Sequence, residues 1–306
     1  MKMNNKKIRD ESMEIEGYEK IIEAGKIASK VREEAIKLIK PGVKLLEVAE
    51  FVENRIKELG GEPAFPCNIS INEIAAHYTP KLNDNLEFKE EDVVKLDLGV
   101  HVDGYIADTA ITVDLSKSYK DLVKASEDAL YTVIKEINPP MNIGEMGRII
   151  QEVIESYGYK PISNLSGHVM YRYELHTGIS IPNVYERTNQ VIDVGDLVAI
   201  EPFATDGFGM VKDGNLGNIY KFLAKRPIRL PQARKLLDVI ARNYPYLPFA
   251  ERWVLKNESE RLALNSLIRA SCIYGYPVLK ERENGIVSQA EHTILITENG
   301  VEITTK

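Results

Sequence analysis

Two aspartates, Asp97 and Asp108, lie in an apolar stretch on either side of the dipeptide Asp103-Gly104. A two-residue turn of this kind between runs of Val, Ile, Thr and Tyr predicts a β-hairpin. In that hairpin Asp97 pairs with Ala110 and Asp108 pairs with Gly99, so the carboxylates are diagonal neighbours on one face. Adjacent carboxylates in apolar surroundings must share a proton or bind a cation. Since glycine leaves room above the sheet, the pair favours a metal site over a solvated turn.

Three other groups that can bind metals lie on or beside apolar strands, namely His168, Glu201 and Glu291. Together with the two aspartates they suit two divalent first-row metal ions, Mn, Fe, Co or Zn, with a bridging water. A structural zinc site would instead prefer Cys and His. Taken singly, His168 could be a core histidine and Glu201 a surface residue, but the five residues together are a stronger signal.

Composition excludes several classes of protein. The 306 residues are 44% apolar and 28% charged, which is ordinary for one large globular domain or two modest ones. A net charge of −7 argues against nucleic acid as the main partner and suits a positively charged substrate, such as a free amino terminus. Cys67 and Cys272 are the only cysteines, which predicts two buried, reduced thiols in a cytosolic protein. We expect no signal peptide and no membrane span.

Hydrophobic periodicity predicts helices and places the chemistry between them. The segment 61–80, which carries His77, is typical of a loop with a short strand. The order helix, Pro-containing turn, helix, Gly, Pro, Asn and His occurs twice, which favours two related α/β halves facing a central site, although chance similarity is an alternative. The predicted helices cover 13–40, 43–59, 119–137 and 142–157.

The second half contains further candidate strands. His176 follows His168 by eight residues, so a continuous strand would place both on one face. Strands are also predicted within 194–205, the segment that contains Glu201, and within 288–300, the segment that contains Glu291. The helical segments 231–244 and 258–271 predict an insertion that shapes a pocket without supplying the chemistry. We therefore expect a catalytic domain formed by 1–217 and 276–306, and a helical insertion subdomain at 218–275.

At these positions the sequence resembles type II methionine aminopeptidases over nearly its whole length. The insertion between the two glutamates is typical of the type II branch, and the absence of a long charged extension is similar to short archaeal members. Ser166 and Ala290 fill positions that vary in that family. The segments that carry the resemblance are DVVKLDLGVHVDGYIAD (92–108), AAHYTP (75–80), NLSGH (164–168), LHTG (175–178), AIEPF (199–203) and QAEHTIL (289–295).

The resemblance implies an α/β (α+β) pita-bread fold, with two pseudo-symmetric halves around a central antiparallel sheet and a helical insertion. It implies that a hydroxide bridging two metal ions attacks the first peptide bond, while Glu201 relays the proton to the leaving nitrogen. The implied metal ligands are Asp97, Asp108, His168, Glu201 and Glu291.

The resemblance also implies how the substrate binds. His77 and His176 would donate hydrogen bonds to the scissile peptide and to the oxyanion. Phe65, Leu175 and Tyr276 would line an apolar slot for methionine, although plain core packing explains each about as well. The second residue of the substrate would be small. The substrates would be the N-terminal segments of nascent polypeptides, cut by a cytoplasmic monomer that could dock at the ribosome.

Two other interpretations use the same fold. A proline-specific dipeptidase or aminopeptidase has a similar ligand set but usually a large extra N-terminal domain, for which the 96 residues before Asp97 leave no room. A metal-free pita-bread binding protein would have lost ligands, whereas all five positions are filled here.

Overall fold

The predicted hairpin forms at the centre of the first half. In the computed structural model, which describes residues 17–306, β3 (Val93–Val102) pairs with β4 (Tyr105–Asp114). Asp97 lies opposite Ala110 and Gly99 opposite Asp108, which confirms the predicted register. Asp103 and Gly104 have φ values of 50° and 87°, as a two-residue turn requires.

Two helices cover the first half of the sheet, α1 (Tyr18–Ala35) and α2 (Leu45–Glu58). The helix predicted over 13–40 has its first residues outside the described part of the chain, and it ends in a 3₁₀ turn at Ile36–Leu38. Buried Val31, Val48 and Leu96 belong to one apolar core between these helices and the sheet.

The segment 61–80 differs from the prediction, because β1 (Glu62–Ile71) is a full ten-residue strand and is followed by β2 (Ile74–Ala76). The strand β1 lies at the edge of the sheet β1-β3-β4, and its register shifts on either side of Phe65. Edge strands and bulges are where a sheet tolerates proline, so Pro63 and Pro66 do not end the strand. These prolines made the strand look like a loop.

The second half repeats this arrangement. Its helices α3 (Lys120–Glu136) and α4 (Ile143–Ser156) match the predicted ranges to within one residue at each end. Asn142 caps α4 by accepting a hydrogen bond from the backbone nitrogen of Gly144 over 2.9 Å. They share a core with a five-stranded sheet. From one edge to the other, its strands are β17 (Gly300–Ile303), β16 (His292–Thr297), β10 (Leu197–Ile200), β7 (Ser166–Met170) and β8 (Ser180–Pro182). The elements are α3 (Lys120–Glu136), β5 (Met141–Asn142), α4 (Ile143–Ser156), β6 (Lys160–Pro161), β7 (Ser166–Met170), β8 (Ser180–Pro182), β9 (Val191–Ile192), β10 (Leu197–Ile200) and β11 (Phe203–Thr205).

Long strands carry the chain into and out of the insertion. They pair with each other, and the helices beyond them share a third core that includes Tyr220, Leu237 and Leu264. The chain then returns to the second half. The elements are β12 (Val211–Phe222), α5 (Pro231–Asn243), β13 (Phe249–Ala250), α6 (Glu251–Val254), a 3₁₀ turn (Glu258–Glu260), α7 (Arg261–Arg269), β14 (Ile273–Glu281), β15 (Val287–Gln289), β16 (His292–Thr297) and β17 (Gly300–Ile303).

Threonine hydroxyls join the two halves. Thr109 and Thr112 of β4 donate hydrogen bonds to the carbonyl oxygens of Glu291 and Gln289, over 2.9 and 2.7 Å. The backbone nitrogen of Asp108 donates to the Thr293 hydroxyl over 2.7 Å. The junction therefore fixes β4 beside the C-terminal strands. Within residues 17–306, no helix is long and apolar enough to cross a membrane.

Candidate active site

The two aspartates of the hairpin face the centre of the molecule, but the space above Gly99 is not open. A Cβ atom on Gly99 would lie 2.2 Å from the ring of Phe65. The expectation that glycine leaves room for a ligand there is therefore wrong, because the Phe65 ring of the neighbouring strand β1 fills that space. Glycine is needed so that this ring can lie against β3 at Gly99.

The other three candidate ligands come from the second half. His168 lies on β7 and pairs with Ala199 of β10, which places it next to Glu201 just beyond the end of β10. The His168 Nε2 atom is 3.6 Å from Asp108 Oδ2 and 3.8 Å from Glu201 Oε1.

Glu291 lies between β15 and β16, where its main chain forms a bridge to Ala110 of β4. One ligand atom from each of Asp108, His168 and Glu291 lies within 4.8 Å of the others. The five predicted residues therefore converge, although their role as metal ligands stays a prediction.

The electrostatics of this cluster fit divalent cations. Burial raises the pKa of Asp97 to about 7. Burial and the neighbouring carboxylates raise the pKa values of Asp108, Glu201 and Glu291 well above the usual range. Among the described residues, the buried Oδ1 atom of Asp108 has no hydrogen-bond partner. Carboxylates that repel one another away from water need positive charge, which bound metal ions would supply.

A cavity of about 70 Å³ opens above the carboxylates. All five residues predicted to contact the substrate line it, namely Phe65, His77, Leu175, His176 and Tyr276. The rings of His77 and Tyr276 meet edge to face at 5.4 Å between centroids. Burial lowers the pKa values of His77 and His176 to about 4, so both are neutral at pH 7 and each can donate one hydrogen bond and accept another.

His168 and His176 meet without lying on the same strand. The rings of His168 and His176 are 4.4 Å apart, but β7 ends at Met170 and the chain turns before His176. The continuous strand that would have placed both rings on one face does not form, because Tyr171 and Glu174 form a tight bridge that reverses the chain.

Sequence reasoning missed several residues of the site. Gln289 Nε2 donates a hydrogen bond to Glu201 Oε2 over 3.3 Å, and its position two residues before Glu291 could have indicated that it faces the site. Ile219 and Pro248 of the insertion also line the cavity, and no local pattern marks them. His292 is a core histidine, bonded through its two ring nitrogens to Thr305 and Tyr131.

The chain matches a known family model over residues 19–298, that of metallopeptidase family M24. The chain belongs to metallopeptidase family M24. Among curated M24 relatives, a methionine aminopeptidase of Methanocaldococcus jannaschii is 95% identical over 294 residues, which are 96% of this chain and 100% of that protein.

Solved structures show the M24 fold. Methionine aminopeptidase of Thermotoga maritima is 28% identical with a TM-score of 0.70, covering 98% of this chain and 99% of that one. A thermophilic Arx1 superimposes with a TM-score of 0.81, covering 96% of this chain and 91% of its own, and at 19% identity it shows the fold alone. The predicted pita-bread fold is confirmed.

Proposed function

We propose that this chain is a metal-dependent methionine aminopeptidase that removes the first residue of peptides and newly made proteins. The observation that carries the proposal is the convergence of four carboxylates, of which Asp108 and Glu291 are buried, and one imidazole beside the cavity. The 95% identity to an archaeal methionine aminopeptidase supports the same activity.

In this proposal Asp97, Asp108, His168, Glu201 and Glu291 hold two divalent ions. Carboxylate and imidazole donors suit Mn, Fe, Co and Zn, and the donor set does not select one of them. Bound ions lower the pKa of coordinated water towards neutrality, which makes hydroxide available as a nucleophile without a serine or cysteine.

Glu201 is proposed to move the proton. It lines the cavity, its Oε1 atom faces His168, and its Oε2 atom accepts the hydrogen bond from Gln289. A carboxylate in this position can take a proton and deliver it to the leaving nitrogen of the peptide. The amide of Gln289 keeps the Glu201 side chain oriented towards the cavity.

The histidines orient the peptide, and the apolar walls select its first side chain. Neutral His77 and His176 are proposed to hydrogen-bond the scissile peptide and the oxygen on which charge develops. Phe65, Leu175 and Tyr276 are proposed to enclose the unbranched thioether of methionine. The preference for a small second residue is part of the proposal and rests on the family resemblance.

The proposal extends to the substrates, the compartment, the oligomeric state and the domain organisation. The substrates are proposed to be the N-terminal segments of nascent polypeptides, met in the cytoplasm by a monomer that docks at the ribosome. We also propose the division into a catalytic domain of 1–217 and 276–306 and an insertion subdomain of 218–275. The separate apolar core around Leu237 and Leu264 supports the insertion as a unit, although the proposed limits fall within β12 and β14.

The test is peptide cleavage by protein loaded with each metal in turn, using a Met-Gly, a Met-Leu and an Xaa-Pro peptide of otherwise equal sequence. We expect methionine release from the Met-Gly peptide only. We also expect about two metal ions per chain by elemental analysis, and no cleavage after chelation. Cleavage of the Xaa-Pro peptide alone would instead indicate a proline-specific peptidase, and absence of metal after reconstitution would indicate a binding protein.

A further inference from the structure

The backbone of His77 adopts a conformation that a residue with a side chain rarely takes. Its φ angle is 65°, in the left-handed region, and it is followed by Tyr78, Thr79 and Pro80. A non-glycine residue keeps this conformation only where its surroundings hold it. We refer to residues 77–80 as the His77 segment.

Strand β12 holds one side of the His77 segment. The Asn218 Nδ2 atom donates to the carbonyl oxygen of Thr79 over 2.9 Å, and the Thr79 nitrogen donates to the carbonyl oxygen of Gly217 over 3.3 Å. A Cβ atom on Gly217 would lie 1.8 Å from the carbonyl oxygen of His77. Only glycine therefore lets β12 approach the His77 backbone so closely.

Helix α6 of the insertion holds the other side. One guanidinium nitrogen of Arg252 donates to the Thr79 hydroxyl over 2.8 Å and to the carbonyl oxygen of Pro80 over 2.9 Å. The other terminal nitrogen pairs with Glu53 of α2. The side chains of Arg252 and Glu53 are only 3% and 7% exposed, so this ion pair is buried.

Glu53 connects the pair back to the strand beside the cavity. It accepts hydrogen bonds from the Cys67 nitrogen over 3.1 Å and from the Trp253 indole over 2.8 Å. The Thr79 hydroxyl in turn donates to the Cys67 carbonyl oxygen over 2.6 Å. Arg252 is thus the one side chain among these that bonds both the His77 segment and α2.

We infer that Arg252, together with Glu53, is a positioning residue that holds the His77 segment so that the His77 ring faces the cavity. The insertion would then take part in catalysis through His77, although it supplies no metal ligand. A fork of planar donors suits this task, because it bonds Thr79, Pro80 and Glu53 at the same time. A test of this inference that measures methionine release rests on the proposed aminopeptidase function.

The test removes the ion pair without leaving a buried charge. The double variant Glu53→Gln, Arg252→Met is compared with the unchanged protein by NMR of the histidine rings, with His77 assigned from His77→Ala. We expect the His77 ring signals to move and those of His101 to stay. Unmoved His77 signals would overturn the inference, and this arm remains valid even if the protein releases no methionine.

Kinetics provide the second arm. With a Met-Gly peptide, we expect the double variant to lower kcat by about tenfold or more, because a displaced hydrogen-bonding group costs rate rather than affinity. In a His77→Ala background the same change should cost less than twofold. An equal loss in both backgrounds would show that Arg252 acts by another route and would overturn the inference.

Two controls separate positioning from stability. Arg261→Met removes another arginine of the insertion, which pairs with the buried Glu251. Within residues 17–306, the hydrogen bonds of the Arg261 side chain do not reach the His77 segment. We expect this variant to leave the His77 signals unmoved. Asn218→Ala, which removes one bond to Thr79 and no charge, should move them in the same direction as the double variant. Movement with Arg261→Met, or none with Asn218→Ala, would overturn the inference.

Discussion

The backbones of Ala110 and Glu291 form two hydrogen bonds with each other. The Glu291 nitrogen donates to the Ala110 oxygen over 3.0 Å, and the Ala110 nitrogen donates to the Glu291 oxygen over 3.4 Å. Ala110 lies opposite Asp97 and two residues beyond Asp108, so this bridge carries the Glu291 carboxylate to both aspartates. The proposed metal centre thus depends on backbone pairing between residues 181 positions apart in the sequence.

The first prediction concerns Asp108. Asp108→Asn keeps the shape of the side chain but removes one negative charge from the cluster. We expect the metal content to fall and turnover to drop on the order of 100-fold, since the loss even of an outer-shell partner costs 10–100-fold. Metal analysis and methionine release measure the two effects. Asp103→Asn in the exposed turn of the same hairpin is the control, and unchanged turnover in Asp108→Asn would count against its ligand role.

The second prediction concerns the contact between Gly99 and Phe65. Gly99→Ala places a methyl group against the Phe65 ring, which lines the cavity and must then shift. We expect a loss of about 1–3 kcal/mol in the free energy of unfolding and a higher KM for Met-Gly peptides. Gly214→Ala on β12, where the nearest atom to a new Cβ is 3.2 Å away, is the control. Recovered stability in Gly99→Ala, Phe65→Leu would tie the loss to the ring, whereas a normal KM in Gly99→Ala alone would refute the effect on binding.

The third prediction concerns Glu281, which is buried and binds two loops. Its oxygens accept hydrogen bonds from the backbone nitrogens of Phe208 (2.6 Å), Gly209 (3.2 Å), Glu283 (2.7 Å) and Gly285 (2.9 Å). In Glu281→Gln an amide NH₂ group must face some of these donors, so we expect a cost of about 1–3 kcal/mol in the free energy of unfolding.

Denaturant unfolding measures this loss, and Glu283→Gln, which changes an exposed neighbour, is its control. The backbone donors also hold the pKa of Glu281 below its usual range. This part of the stability is therefore present at neutral pH and is lost as the pH falls through that lowered pKa. A variant as stable as the control at pH 7 would contradict the assignment.

The fourth prediction is a pH dependence that arises from His77. Burial lowers its pKa from 6.5 in the unfolded chain to about 4. Between these values the unfolded state binds more protons, so the free energy of unfolding falls as the pH falls from 7 to 4. We expect the protein to lose up to about 3 kcal/mol more over this range than His77→Gln does. Urea unfolding of both proteins gives the comparison.

Between pH 8 and 9 His77 does not titrate in either the folded or the unfolded state. The free energies of unfolding of the two proteins should therefore change in parallel over that range. Equal losses for the two proteins between pH 7 and 4 would mean that His77 is protonated as readily in the folded state as in the unfolded chain.

The hairpin could be predicted in full because its signals are local. A two-residue turn determines the register of both strands, and the register determines the face of each side chain. The same reasoning located Asp97 and Asp108. The apolar runs beside His168, Glu201 and Glu291 marked those three residues, and the motif resemblance supplied their implied role. Helix limits were close for the same reason, since each helix is marked by its own periodicity.

The remainder of the site depends on contacts between distant segments, which no local pattern contains. The bulged strand β1 looked like a loop because its prolines are acceptable only at a sheet edge, and edges are a property of the assembled sheet. The contact of Ile219 and Pro248 with the cavity arises in the same way, from the packing of the insertion. No local pattern marks Arg252 either, because its partners Glu53 and the His77 segment lie far from it in the sequence.

The threonine junction between the halves has a consequence for how the protein reaches its active form. Asp97 and Asp108 belong to one half, while His168, Glu201 and Glu291 belong to the other, so neither half alone offers a complete coordination sphere. Cation uptake during refolding should accordingly lag behind helix formation and coincide with docking of β4 against the C-terminal strands. An ion would then stabilise the docked state selectively, and its affinity would report how firmly the two halves are joined.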